Sequence, residues 1–180
     1  NYKDFDRYYS VIVENLSIIN IKVYVLALFE KSMLNKKNLK NFVQRIQEIS
    51  EKLSTKKIKL ALETNLEAQF LIKLIKLINR KNVFIVYDTG NRFKKKKSQF
   101  KEIIKLKKYI CHFHLKDKNL HGKNVVLGNG CVNFSSIFKA IKHNKYKERY
   151  TFETNRGVNP IITMRNNKDF ILKIINKIYK

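Results

Sequence analysis

Four residues able to bind a cation or move a proton close four separate apolar runs: Glu63 in LALETN, Asp88 in VYDTGN, His114 in HFHLKD and Glu153 in TFETNR. His112 stands two residues before His114, so on an extended strand both rings leave the same face. One of these rings could be a ligand and the other a group beside the substrate. Taken singly, a strand-end carboxylate reads first as a cap on the following helix or as half of a surface ion pair. All four together, each at the end of a different run, point to one shared site. An oxygen-rich set with a single imidazole suits Mn²⁺ or Mg²⁺ better than the thiolate ligation of structural zinc.

That reading requires the runs to be strands with their carboxyl ends on one side. Residues 21–28 (IKVYVLAL), 57–63 (KIKLALE), 82–88 (NVFIVYD), 109–115 (YICHFHL) and 149–153 (RYTFE) are apolar with little alternation, as expected of strands buried on both faces. Between them the apolar residues take helical spacing. Leu39, Phe42, Ile46, Ile49 and Leu53 share one face of a helix over 38–54. Further helices are predicted over 68–79, 99–108, 134–143 and 167–179, and one over 6–19 precedes the first strand. Five strand-then-helix units imply a parallel α/β sheet whose strand ends carry the site. Two architectures fit, a five-stranded doubly wound sheet and part of a closed (β/α)8 barrel. The glycine-rich dinucleotide fingerprint that favours the first is absent.

The chain has 180 residues, and 44% of them are hydrophobic, enough for one domain over residues 1–180 with its own core. No apolar run reaches the roughly 18 residues of a membrane span. Cys111 and Cys131 are too few for a disulfide framework, which favours a reducing, cytoplasmic setting. The 39 Lys and Arg against 14 Asp and Glu give a formal net charge of +25. A polyanion partner is one reading of that charge. The reading preferred here is compositional bias toward Lys, Asn and Ile, because lysines fall on every predicted helix rather than in one stripe. The run Lys94–Lys97 reads as a solvated loop. Asn1 rather than Met opens the chain, and a longer reading frame is expected.

The segments LETN, YDTGN, HFHLKD, LGNGCVNFSSIF and FETNR resemble those of the xylose isomerase-like sugar-phosphate isomerase and epimerase group, from about Ile21 to the C-terminus. The resemblance implies a partial (β/α)8 TIM barrel made of its five C-terminal βα units, with the first three strands lying upstream. It implies metal ligation by Glu63, Asp88, His114 and Glu153, with Glu63 and Glu153 doubling as the acid/base carboxylates. On the substrate side it implies Asn65, Asn91, His112 and Lys116. Asp117, next in the HLKD motif, is expected either to meet substrate or to brace the loop.

The implied activity is epimerisation or aldose–ketose isomerisation of a sugar or sugar phosphate. Two carboxylates on opposite faces exchange a proton beside a carbonyl, and a divalent cation stabilises the enediolate. Mn²⁺ is the expected ion, with Mg²⁺, Co²⁺ and Zn²⁺ as alternatives. Homo-oligomerisation is left open, and neither nucleic acid nor membrane is an expected partner. The related abasic-site endonucleases carry extra His and Asp ligands. Here Asn91, Gly122 and Asn124 occupy those places, which argues against a nuclease. An inactive barrel fragment is the other alternative. Gly128-Asn129-Gly130 reads first as a tight turn, and second as a phosphate cradle.

Overall fold

The structure is a computed structural model that describes residues 2–29, 34 and 38–180. Its main sheet has five strands in the order β1-β2-β3-β4-β7, and a separate two-stranded ribbon pairs β5 with β6. The chain forms two compact units, Asn1–Val86 and Tyr87–Lys180.

The first unit contains α1 (Tyr2–Ile18), β1 (Val23–Ala27), α2 (Leu39–Thr55), β2 (Lys59–Glu63) and α3 (Ala68–Ile78), and it holds the start of β3 (Val83–Asp88). β1 pairs parallel with β2, and β2 with β3, in a register that sets Ala27 opposite Glu63 and Glu63 opposite Val86. Leu60, Ala61 and Leu62 are all fully buried, so β2 is covered on both faces as its unbroken apolar run requires. Ile46, Ile49 and Leu53 of α2 and Leu71, Leu74 and Ile78 of α3 form the buried helical stripes. Helix α3 ends at Asn79 in the left-handed region (φ 49°), a conformation Asn tolerates better than most residues.

The second unit contains α4 (Gln99–Leu106), a 3-10 turn (Lys107–Tyr109), β4 (Ile110–Leu115), β5 (Asp117–Lys118), β6 (Asn124–Val125), α5 (Phe134–His143), β7 (Tyr150–Phe152) and α6 (Pro160–Tyr179). β4 and β7 run parallel, with Phe113 opposite Tyr150 and Leu115 opposite Phe152. Ser98 and Asn133 cap α4 and α5 by accepting the backbone N–H groups of Lys101 and Ser136. An aromatic cluster fills the centre: Phe113 meets Tyr87 at 5.6 Å and Tyr146 at 4.9 Å, and Phe138 meets Tyr150 at 5.6 Å. Tyr87 donates its hydroxyl to Glu102 at 2.8 Å, and Arg92 pairs with the same carboxylate at 2.6 Å. Burial, reinforced by that carboxylate, keeps the Tyr87 hydroxyl protonated far above the usual range. Phe138 is fully buried, so Phe138→Ala is expected to cost about 3–5 kcal/mol in a denaturant titration.

Several boundaries shift by a few residues from the sequence expectation, and two differences are larger. The last helix begins at Pro160 rather than at residue 167, because Asn159 caps it by accepting the N–H groups of Ile161 and Ile162 and Pro160 occupies the first turn. The β5–β6 ribbon has no sequence signal, since two-residue strands are too short to carry an alternating pattern. Among the described residues no helix is long and apolar enough to cross a membrane.

Candidate metal centre at the strand ends

Asp88 closes β3 and is 1% exposed. The turn that follows it, Thr89-Gly90-Asn91, folds back on the carboxylate: the Asn91 N–H donates to Asp88 Oδ1 at 2.6 Å, and the Arg92 N–H to the Asp88 carbonyl at 3.1 Å. Thr89 joins this turn to β4. Its N–H donates to the His114 carbonyl at 3.0 Å. Its hydroxyl donates to the Lys116 carbonyl at 2.6 Å and accepts the Lys116 N–H at 2.8 Å.

His114 lies near the end of β4 and Glu153 one residue past β7. The Glu153 N–H donates to the Leu115 carbonyl at 3.1 Å, which extends the β4–β7 pairing by one residue. His114 Nδ1 lies 2.7 Å from Glu153 Oε2. Lys116 Nζ lies 2.6 Å from Glu153 Oε1 and 3.0 Å from Asp88 Oδ2. Burial opposes the Lys116 charge, but the Glu153 and Asp88 carboxylates outweigh it and raise the pKa above the ordinary lysine value. Asp88, His114 and Glu153 each present a ligand-type atom, and these atoms lie within 4.8 Å of one another. Two carboxylates and one imidazole at that separation have the composition that a hard or borderline divalent cation takes.

His112 and His114 leave the same face of β4, with ring centroids 5.5 Å apart and planes at 87°. His112 Nε2 lies 2.8 Å from the Thr151 hydroxyl. Burial, and then the neighbouring His114, lower the His112 pKa, with Glu148 opposing. In the first unit, Glu63 closes β2 and is buried, while Asn65, two residues on, is exposed in the loop. A hollow of about 270 Å³ opens beside Glu153, lined among others by Asn155, Arg156 and Thr163.

Three supporting residues escaped the sequence reading in whole or part. Asp117 is fully buried and accepts four backbone N–H groups, from Lys118 (2.9 Å), Gly128 (2.9 Å), Gly130 (3.0 Å) and Val132 (3.1 Å). Of the two roles expected for it, bracing the loop is the one with contacts. The glycine turn therefore directs two of its amides at a protein carboxylate rather than outward, which matches the turn reading over the phosphate cradle. Gly130 is required by proximity, because a Cβ there would sit 2.2 Å from Asp117 Oδ1. Thr89 stands out in the sequence only as part of the YDTGN motif. Asn167, buried within α6, accepts the Leu127 N–H at 3.0 Å and donates to the Thr154 hydroxyl at 2.9 Å, tying down the loop after Glu153. A polar residue at an otherwise apolar helical position was the one available signal for it.

Comparison with known proteins agrees with this fold. The chain superposes on the xylose isomerase domain protein of Planctomyces limnophilus with a TM-score of 0.81 at 18% identity, covering 96% of this chain and 66% of that one. Against D-psicose 3-epimerase of Clostridium cellulolyticum H10, solved with D-tagatose, the TM-score is 0.82 at 16% identity, covering 97% and 71%. Against the IolI protein, solved with a zinc atom, it is 0.81 at 17% identity, covering 98% and 70%. The chain thus spans about two thirds of the length of these structures. At these identities the likeness speaks to fold alone. A sequence search among curated proteins finds no match. The profile of one family matches residues 11–173, nearly the whole chain, and the protein belongs to that family, the xylose isomerase-like TIM barrel.

Proposed function

We propose that this chain carries the active strand ends of a divalent-metal-dependent isomerase or epimerase acting on a sugar or sugar phosphate. The observation that carries the reading is the meeting of Asp88, His114 and Glu153 donor atoms, from β3, β4 and the end of β7, within 4.8 Å. Glu63 is the proposed fourth ligand. It closes β2, the neighbour of β3, in a register that pairs it with Val86, two residues before Asp88. Mn²⁺ is the proposed ion, with Mg²⁺, Co²⁺ and Zn²⁺ as alternatives; among proteins of like fold, the IolI protein was solved with zinc.

In this reading Glu63 and Glu153 are also the acid/base pair. One carboxylate takes the proton from the carbon beside the carbonyl, and the other returns a proton to the opposite face. A divalent cation held at the site would supply Lewis-acid stabilisation of the enediolate oxygens. Glu153 is the carboxylate open to a substrate, with 47% of its side chain exposed. His112, Lys116, Asn91 and Asn65 are proposed to contact sugar hydroxyls. A cytoplasmic setting is proposed from the cysteine count, since two thiols are too few for a disulfide framework.

The test has two parts. Calorimetric titration with Mn²⁺ is expected to show one ion bound per chain. Incubation with a panel of ketoses and ketose phosphates in D₂O is expected to give metal-dependent deuterium uptake at the carbon beside the carbonyl. Absence of both Mn²⁺ binding and exchange on every sugar would overturn the proposal, and cleavage of abasic-site DNA would move the chain to a different chemistry.

A further inference from the structure

Lys116 is held at three levels. Thr89 clamps its backbone by donating to its carbonyl and accepting its N–H. Its aliphatic stem runs against Gly90, where an added Cβ would lie 2.7 Å from Lys116 Cγ; the missing side chain makes the path. Its ammonium bridges Asp88 Oδ2 at 3.0 Å and Glu153 Oε1 at 2.6 Å, and only 6% of the side chain is exposed. A surface lysine on a flexible stem is not built this way. The ammonium engages two of the carboxylates assigned above to the metal, and a cation drawing on the same oxygens would meet a like charge at close range.

We propose that Lys116 is the resident counter-cation of the metal-free site, which an incoming divalent ion must displace from Asp88 and Glu153. The inference rests on the metal-dependent reading above. It makes two demands of the same side chain. Without metal, Lys116 compensates the buried Asp88 carboxylate, which would otherwise be a costly buried charge. With metal, its charge opposes binding, so it holds affinity below what the ligands alone would give.

The test compares the native chain with Lys116→Met at fixed pH. Mn²⁺ binding, followed by titration calorimetry, is expected to be about tenfold or more tighter in the variant, the direction Coulomb repulsion requires. In EDTA the variant is expected to melt below the native chain, and Mn²⁺ is expected to close the gap. Equal or weaker Mn²⁺ affinity in Lys116→Met would overturn the inference while leaving the metal-dependent reading intact. No Mn²⁺ binding by either chain would overturn both. A measurement on the native chain covers a variant that fails to fold. Lys116 is expected to resist reductive methylation in EDTA and to react once Mn²⁺ is bound, as read by peptide mass spectrometry. Equal protection in both states also overturns the inference.

Discussion

Glu153→Gln is expected to lower turnover by roughly 10²–10⁴-fold, the range associated with removing a positioned acid/base group. Mn²⁺ affinity should fall with it, because the substitution removes the negative charge that faces both His114 and Lys116. The fold should survive. The side chain is half-exposed, the replacement has nearly the same shape, and the backbone bond from Glu153 to Leu115 is untouched. Steady-state kinetics on the best sugar of the panel, with a melting curve as control, checks this. Turnover within a few-fold of the native value, in a protein of native stability, would remove Glu153 from the chemistry and with it the proton-transfer scheme.

The second large effect is structural. Asp117→Ala strands four backbone donors that now converge on one buried carboxylate. Hydrogen bonds to a charged acceptor contribute about 1.5–3 kcal/mol each, and losses at one centre are not additive. A total of about 4 kcal/mol is a reasonable expectation, which lowers the melting temperature by roughly 8–16 °C for a chain of this size. The loop that loses its anchor runs through Lys118 and Lys123, so trypsin should cut there first. Asp117→Asn keeps the shape and one acceptor oxygen and should fall between the two. A melting temperature within about 2 °C of native for Asp117→Ala would mean the loop is held by something else.

The two effects separate the part of the site that announces itself from the part that does not. Glu63, Asp88, His114 and Glu153 stand out in the sequence as candidates because chemistry restricts ligand-type side chains to a few residues, and because a parallel sheet presents all its carboxyl ends on one side. Strand β2 was equally legible, since burial on both faces leaves a continuous apolar run. Helix α5 matched its predicted bounds, with Phe134, Ile137, Phe138 and Ile141 on its buried face. Asp117 is different. Its partners are backbone amides up to 15 residues away, and an amide has no sequence signature. The β5–β6 ribbon and the start of α6 were missed for related reasons, one too short for a pattern and the other set by a cap and a proline rather than by apolar spacing.

What the sequence by itself determined, then, is the alternation of strand and helix, the motif segments that carry the family resemblance, and the identity of the groups at the strand ends. Only the tertiary structure decided where Lys116 spends its charge. Its path depends on the absence of a side chain at Gly90, on the Thr89 hydroxyl, and on two carboxylates brought together from β3 and the end of β7. Side-chain type follows from the chain one residue at a time, whereas the partner of a charge depends on distances that exist only after the strands have paired.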